Sequence, residues 1–178
     1  VSPSALVRKL HYWASIAIAI PASILLGSGL LLQTKKHWSW VQPSEQRGTG
    51  SIPQISLDSV LGSVAGVPAL AVDHWDDINR IDVRPERGVA KVWLKSGWEA
   101  QVDLGTGAVM QTAFRRSDLI ESIHDGSFFA GNWTKLGIFL PTGLILAFMW
   151  ASGLWLFVVP ILAKRRRTVR RLAATAPQ

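Results

Sequence analysis

The chain has 178 residues, of which 48% are hydrophobic and 17% charged, with a formal net charge of +7. That length accommodates one small folded domain beside two long helices, and the lack of cysteine excludes disulfides and thiolate metal sites. The excess of cations gathers at Lys164, Arg165, Arg166, Arg167, Arg170 and Arg171, directly after an apolar run; this is the placement of a headgroup anchor and argues against a nucleic-acid partner.

Val1 is not an initiator residue, so further sequence is expected upstream. The first apolar run, Leu10–Leu32, has no formal charge between Lys9 and Lys35 apart from a protonatable His11. It exceeds the ~20 residues a helix needs to cross a bilayer. Its length, and the lack of a small-residue cleavage site, predict a retained anchor and not a removed signal peptide. Pro21, Gly27 and Gly29 interrupt it, and Ser28-Gly29-Leu30 offers a small-residue surface.

Residues 41–55, with Pro43, Ser44, Gly48, Gly50 and Pro53, read as a linker. From Ser56 or Asp58 an apolar period of Leu57, Val60, Leu61, Val64 and Val67 predicts an amphipathic helix ending near Gly66. The period then falls to two. Ile78–Val83, Val89–Trp93, Trp98–Asp103 and Ala108–Phe114 predict four antiparallel strands, broken at Pro85–Gly88, Ser96-Gly97 and Gly105–Gly107. Arg80, Arg84, Arg87, Lys91, Lys95, Arg115 and Arg116 are expected on the exposed alternating face of that sheet. Ser117–His124 predicts a short helix with Ser117 as N-cap and Asp125-Gly126 as its end.

The second apolar run, Leu136–Leu162, has no charge between Lys135 and Lys164 and contains Pro141, Gly143 and Ser152-Gly153-Leu154. Gly27, Ser28, Gly29, Gly143, Ser152 and Gly153 are the candidate helix-packing residues, either between the two spans or against another subunit. Of nine tryptophans, Trp13, Trp38, Trp40, Trp133 and Trp155 fall near span ends, where indoles favour the headgroup layer. Trp75, Trp93 and Trp98 are expected in the core or an interface of the central domain.

Two spans place both termini on one side, and the C-terminal cations place that side in the cytoplasm. The expected fold is an α+β membrane protein with two transmembrane helices bracketing a small periplasmic domain of one helix and an antiparallel sheet. Its divisions are a cytoplasmic tail (1–9), span one (10–33), the periplasmic domain with linkers (34–132), span two (133–162) and a basic cytoplasmic tail (163–178). The setting is a bacterial inner membrane, with membrane lipids as partners.

Chemistry-bearing motifs are scarce. The sequence has no phosphate-cradling glycine loop, GxSxG or HExxH, and no catalytic residue is assigned. Charges at mid-membrane depth, the mark of a transport path, are missing as well. His74 with Asp73, Asp76 and Asp77 reads as a solvated acidic turn and not as a metal site. A b-type haem needs two axial ligands at one depth. His11 belongs to one membrane face, and His37 and His124 to the other, about 30 Å away along a helix.

The ordered motifs resemble the PepSY-associated transmembrane (PepSY_TM) family. Arg8-Lys9-Leu10-His11-Tyr12-Trp13 opens the first span and Ser28-Gly29-Leu30 lies near its end. Val102-Asp103-Leu104-Gly105-Thr106-Gly107 is similar to the PepSY turn. His124-Asp125-Gly126 precedes the second span, and Ser152-Gly153-Leu154-Trp155 lies near the end of that span. The resemblance covers roughly residues 7–165. It implies a periplasmic PepSY-like module and, from larger four-span relatives, a setting in electron transfer to ferric-siderophore or metal substrates. It also implies haem b as a cofactor, with His11, His124 and His37 as candidate ligands. Two spans in place of four favour a non-catalytic accessory or structural subunit of a larger inner-membrane assembly, as a hetero-oligomer or else a homodimer. The alternatives are a haem-carrying reductase working as an oligomer, and a non-redox periplasmic binding or inhibitory module.

Overall fold

The computed structural model describes residues 3–50 and 52–174, with side chains described for 5–50 and 52–165. The side chains of Arg166, Arg167, Arg170 and Arg171, and residues 175–178 of the basic tail, lie outside the described set. Two compact units are present. One holds the long helices, up to Gly27 and from Ile123 onward, and the other is Ser28–Ser122.

Helix α1 runs Pro3–Gln33. Its polar side chains satisfy themselves locally: the Ser15 hydroxyl donates to the His11 carbonyl at 2.8 Å, and Ser23 to that of Ala19 at 2.8 Å. Helix α6, Leu140–Ala174, is the second long helix and its backbone continues through the basic cluster. Ala5–Gln33 and Asn132–Arg165 are each long and apolar enough to cross a membrane, and only 17% and 6% of their most apolar windows are buried. The two helices touch where His11 Nδ1 lies 3.2 Å from Ser152 Oγ and the Ser15 hydroxyl lies 3.9 Å from Met149 Sδ.

A compact knot leads into α6. Helix α3, Arg116–Asp125, ends at Gly126, whose φ of +81° favours glycine. A Cβ there would strike the Phe139 ring. Short helices α4 (Ser127–Ala130) and α5 (Asn132–Thr134) and a π-helical turn (Lys135–Phe139) follow. The Thr134 hydroxyl donates to the Gly126 carbonyl at 2.6 Å, Phe129 stacks on Phe139, and Lys135 Nζ pairs with Asp125 Oδ2 at 2.6 Å. The Lys135 ammonium, helped by Ser127, holds the Asp125 carboxyl down to about 2.

In the second unit α2, Leu57–Ala65, starts at Ser56, whose side chain accepts from the Ser59 amide, and ends at Gly66. The sheet is a four-stranded antiparallel meander, β1 (Ile78–Arg84), β2 (Val89–Leu94), β3 (Trp98–Asp103) and β4 (Val109–Phe114). Period two separates its faces. Ala90, Val92, Leu94, Ala100 and Val102 join Val60 and Val64 of α2, with Leu70, Val72 and Leu104, in one apolar core. Leu57, at the N-terminal end of the same stripe of α2, is exposed. Trp98 packs against the core and Trp75 is exposed.

Two expectations fail here. Ser117 is not the N-cap of α3: it sits inside the first turn, fully buried, with its amide donating to the Val41 carbonyl at 2.7 Å. Residues 41–50 are not a free linker either. They form a strap over the second face of the sheet, with Val41, Pro43 and Gly50 buried.

Candidate functional site

The second face of the sheet carries the chemistry. The registers Arg80↔Trp93, Asp82↔Lys91, Lys91↔Gln101 and Trp93↔Glu99 gather charged and polar side chains into cross-strand neighbours. The expectation that these cations face solvent is wrong for two of them: Lys91, paired with Glu45 of the strap, is 2% exposed, and Arg115, held by Glu99 and Asp118 over the Trp93 ring, is 5% exposed.

Glycine makes the cover possible. A Cβ on Gly48 would collide with the Gly88 carbonyl, and one on Gly50 with the Gly105 amide. The strap then satisfies the buried groups beneath it. The Gln46 amide donates to Gln101 Oε1 at 2.7 Å, while Gln101 Nε2 donates to the Ser44 carbonyl at 3.0 Å and to Glu99 Oε1 at 2.7 Å. The Thr49 amide and hydroxyl both reach Asp103, 3.1 Å and 2.9 Å from Oδ2. Donation from the Gly105 amide, joined by Thr49, holds the Asp103 carboxyl below its ordinary range, overriding the opposing effect of burial. The Asp103–Gly107 turn is therefore also the anchor of the strap.

Two ion-pair sets fix the face. Glu45 of the strap pairs with Lys91 at 2.9 Å and with Arg84, which also holds Asp82 at 2.8 Å. Burial works to raise the Glu45 carboxyl, but Lys91 and Arg84 outweigh it and hold it low. The other set is deeper: Arg115 Nη1 donates to Glu99 Oε2 at 2.7 Å and Nη2 to Asp118 Oδ1 at 2.9 Å. Burial opposes the charge of Arg115, yet the bonds to Asp118 and Glu99 win and hold its guanidinium above its ordinary range.

Trp93 lies between two guanidinium groups, with Arg80 Cζ 3.6 Å and Arg115 Cζ 3.8 Å from its ring centroid. Its buried indole N–H has no acceptor among the described residues. This stack walls an open cavity of about 660 Å³, which Lys35, Lys36, Arg84, Asp118 and Glu121 also border. A bulge between Ile78 and Arg80 puts Asn79 and Arg80 in that wall together. A neighbouring cavity of about 360 Å³ shares Lys35, Lys36, Gln42 and Arg84. The wall of the larger cavity is lined by lysine, arginine, carboxylate and amide side chains with Trp93.

The residues singled out from sequence are dispersed. His11, half-buried on α1, faces Ser152, and a Cβ added at Gly153 would lie 3.9 Å from its ring. His37 is exposed just after α1, and His124 is half-buried in the last turn of α3. Helical rise puts about 30 Å between His11 and Gln33 along α1, and the same between Asn132 and Ser152. His11, beside Ser152, is thus at the far end of its unit from His124. Ser28 and Ser152 are buried, whereas Gly27 and Gly143 have open space around them. The Asp77 carboxylate accepts from the Asp73 and His74 amides, which accounts for one carboxylate of that acidic turn as a local cap. Among the described residues no three His, Asp or Glu side chains converge on a common point.

Comparisons with protein-family models, with curated proteins and with solved structures return no match for the chain.

Proposed function

We propose that the chain is a two-span accessory subunit of a bacterial inner-membrane assembly, presenting the Ser28–Ser122 unit as a periplasmic PepSY-like interaction domain. The observation that carries this reading is the bareness of the two long helices. Leu26, Leu30, Leu144, Trp150 and Phe157 are all 65% exposed or more, and α1 and α6 meet at few points. Apolar surface on that scale requires lipid, other helices or both. The exposed Trp13, Trp38, Trp40, Trp133 and Trp155 support headgroup contact at the span ends. Orientation follows from the basic residues after the second span, which favour a cytoplasmic location.

The central domain supports a binding role because its polar face is built from fixed, mutually paired charges beside an open cavity. An electron-transfer setting, with metal or siderophore reduction downstream, rests on the ordered PepSY_TM-like motifs. The test is extraction from the native membrane in a gentle detergent, followed by size and subunit analysis. An accessory subunit emerges in a stoichiometric complex with other integral membrane chains. A monodisperse, partner-free monomer contradicts the proposal. A Soret band in a preparation of this chain alone would favour the oligomeric haem reductase instead.

A further inference from the structure

We propose that the 660 Å³ cavity beside the Arg80–Trp93–Arg115 stack is a binding site for a phosphate-class oxyanion. Most charges around the cavity are already committed. The two carboxylates in the wall are both held: Asp118 by Arg115 at 2.9 Å and Glu121 by Lys35 at 3.0 Å. Arg84 is committed to Asp82 and Glu45. Among the described residues Arg80 and Lys36 have no ion pair, and both are exposed on the cavity wall. The site thus presents two uncompensated cations against a background of neutralised ones.

Arg80 is also posed for recognition. Lying over the Trp93 ring, its guanidinium spends a face on the indole and keeps its in-plane N–H fork available for a bidentate oxyanion. Arg115 on the ring's other side is locked by Glu99 and Asp118, so it holds Trp93 in place without competing for the ligand. With both ring faces taken, the site recognises charge and the planar fork, not an aromatic group. The volume falls in the range of small-molecule sites, about 300–1,000 Å³, so the phosphate can carry an organic group.

Two sources share this chemistry: a soluble phosphate and a phospholipid headgroup. Lys35 and Lys36 follow directly on α1, which ends at Gln33, so the cavity begins where that apolar helix stops. The experiment uses the full chain in nanodiscs with two arms. One arm titrates inorganic phosphate into phosphatidylcholine nanodiscs, read by calorimetry. The other replaces part of the phosphatidylcholine with phosphatidylglycerol and reads lipid retained on the protein by native mass spectrometry. The proposal expects binding in at least one arm, and the arm that responds identifies the source.

Arg80→Gln and Arg80→Lys should each weaken that binding by about 10- to 100-fold, the cost of one charge-assisted bidentate contact. Lys36→Gln, which leaves the Trp93 stack untouched, should weaken it several-fold. Lys95→Gln, outside the cavity wall, should leave it unchanged. Failure to bind in both arms overturns the proposal, as does an equal loss in Lys95→Gln and Arg80→Gln. Neither result bears on the two-span reading, which does not depend on this site.

Discussion

Removing the carboxylate of Glu99 is the sharpest probe of the covered sheet face. Glu99 is 1% exposed and Arg115 5%, and they meet at 2.7 Å, so Glu99→Gln leaves a buried guanidinium with only the Asp118 carboxylate, itself 42% exposed. Breaking a buried pair from one side costs about 3–5 kcal/mol. Because Asp118 remains, the lower end, about 3 kcal/mol, is expected for Glu99→Gln. Asp118→Asn removes the exposed partner and should cost no more than about 1 kcal/mol. Arg115→Met strands Glu99 and should cost at least as much as Glu99→Gln. The double variant Glu99→Leu/Arg115→Met, with no charge left unpaired, should lose far less than the sum of its single substitutions. Urea denaturation of the full chain in micelles, followed by near-ultraviolet circular dichroism, gives these differences. Glu99→Gln no more costly than Asp118→Asn, or additive singles, would refute a buried network under the strap.

Other perturbations test separate parts of the account. Gly48→Ala drives a Cβ into the Gly88 carbonyl and should destabilise the domain by at least about 2 kcal/mol, with faster amide exchange across residues 44–49. Gly126→Ala meets both a φ of +81° and the Phe139 ring, and should cost about 1–3 kcal/mol in a thermal melt in detergent. The Glu45 carboxyl is held low in the fold, so its contribution is fully present above its ordinary range near 4.5 and is lost as pH falls through the depressed value. The strap should therefore show protected amides at pH 7 and 5 and loosen in acid, and Glu45→Gln should weaken that dependence, leaving the part due to the Asp103 anchor. Asp125, down at about 2 beside Lys135, should titrate later than Glu45 in a carboxyl-resolved NMR series.

Much of the fold is written in local pattern. The Val60/Val64 spacing and the Ser56 and Gly66 ends delimit α2, and period two with three turn clusters delimits all four strands. The strap was not legible in the same way. Pro43, Ser44, Gly48 and Gly50 carry the composition of a linker, and their partners Gln101, Asp103 and Gly88 lie about 40 to 60 residues away. One signal was nonetheless present. Lys91, Glu99, Gln101 and Asp103 alternate with the core residues as a set of mixed charge with an amide, which fits a covered polar face better than a purely basic exposed one. Ser117 was misplaced for a related reason, since its burial depends on Val41, a contact that no local cap rule contains. The cavity depends on long-range register too: only pairing of Arg80 with Trp93, and the approach of Arg115, make the stack.

The claim on which the rest depends is that the chain crosses a membrane twice and holds its sheet domain on the outer side. Because the chain has no cysteine, single introduced thiols report this directly. Thr106→Cys lies on an exposed turn of the sheet and Arg8→Cys at the exposed start of α1. In intact spheroplasts a membrane-impermeant maleimide should label Thr106→Cys at once and Arg8→Cys only after lysis. Equal labelling of both before lysis, or release of the protein by alkaline carbonate, would contradict the two-span topology.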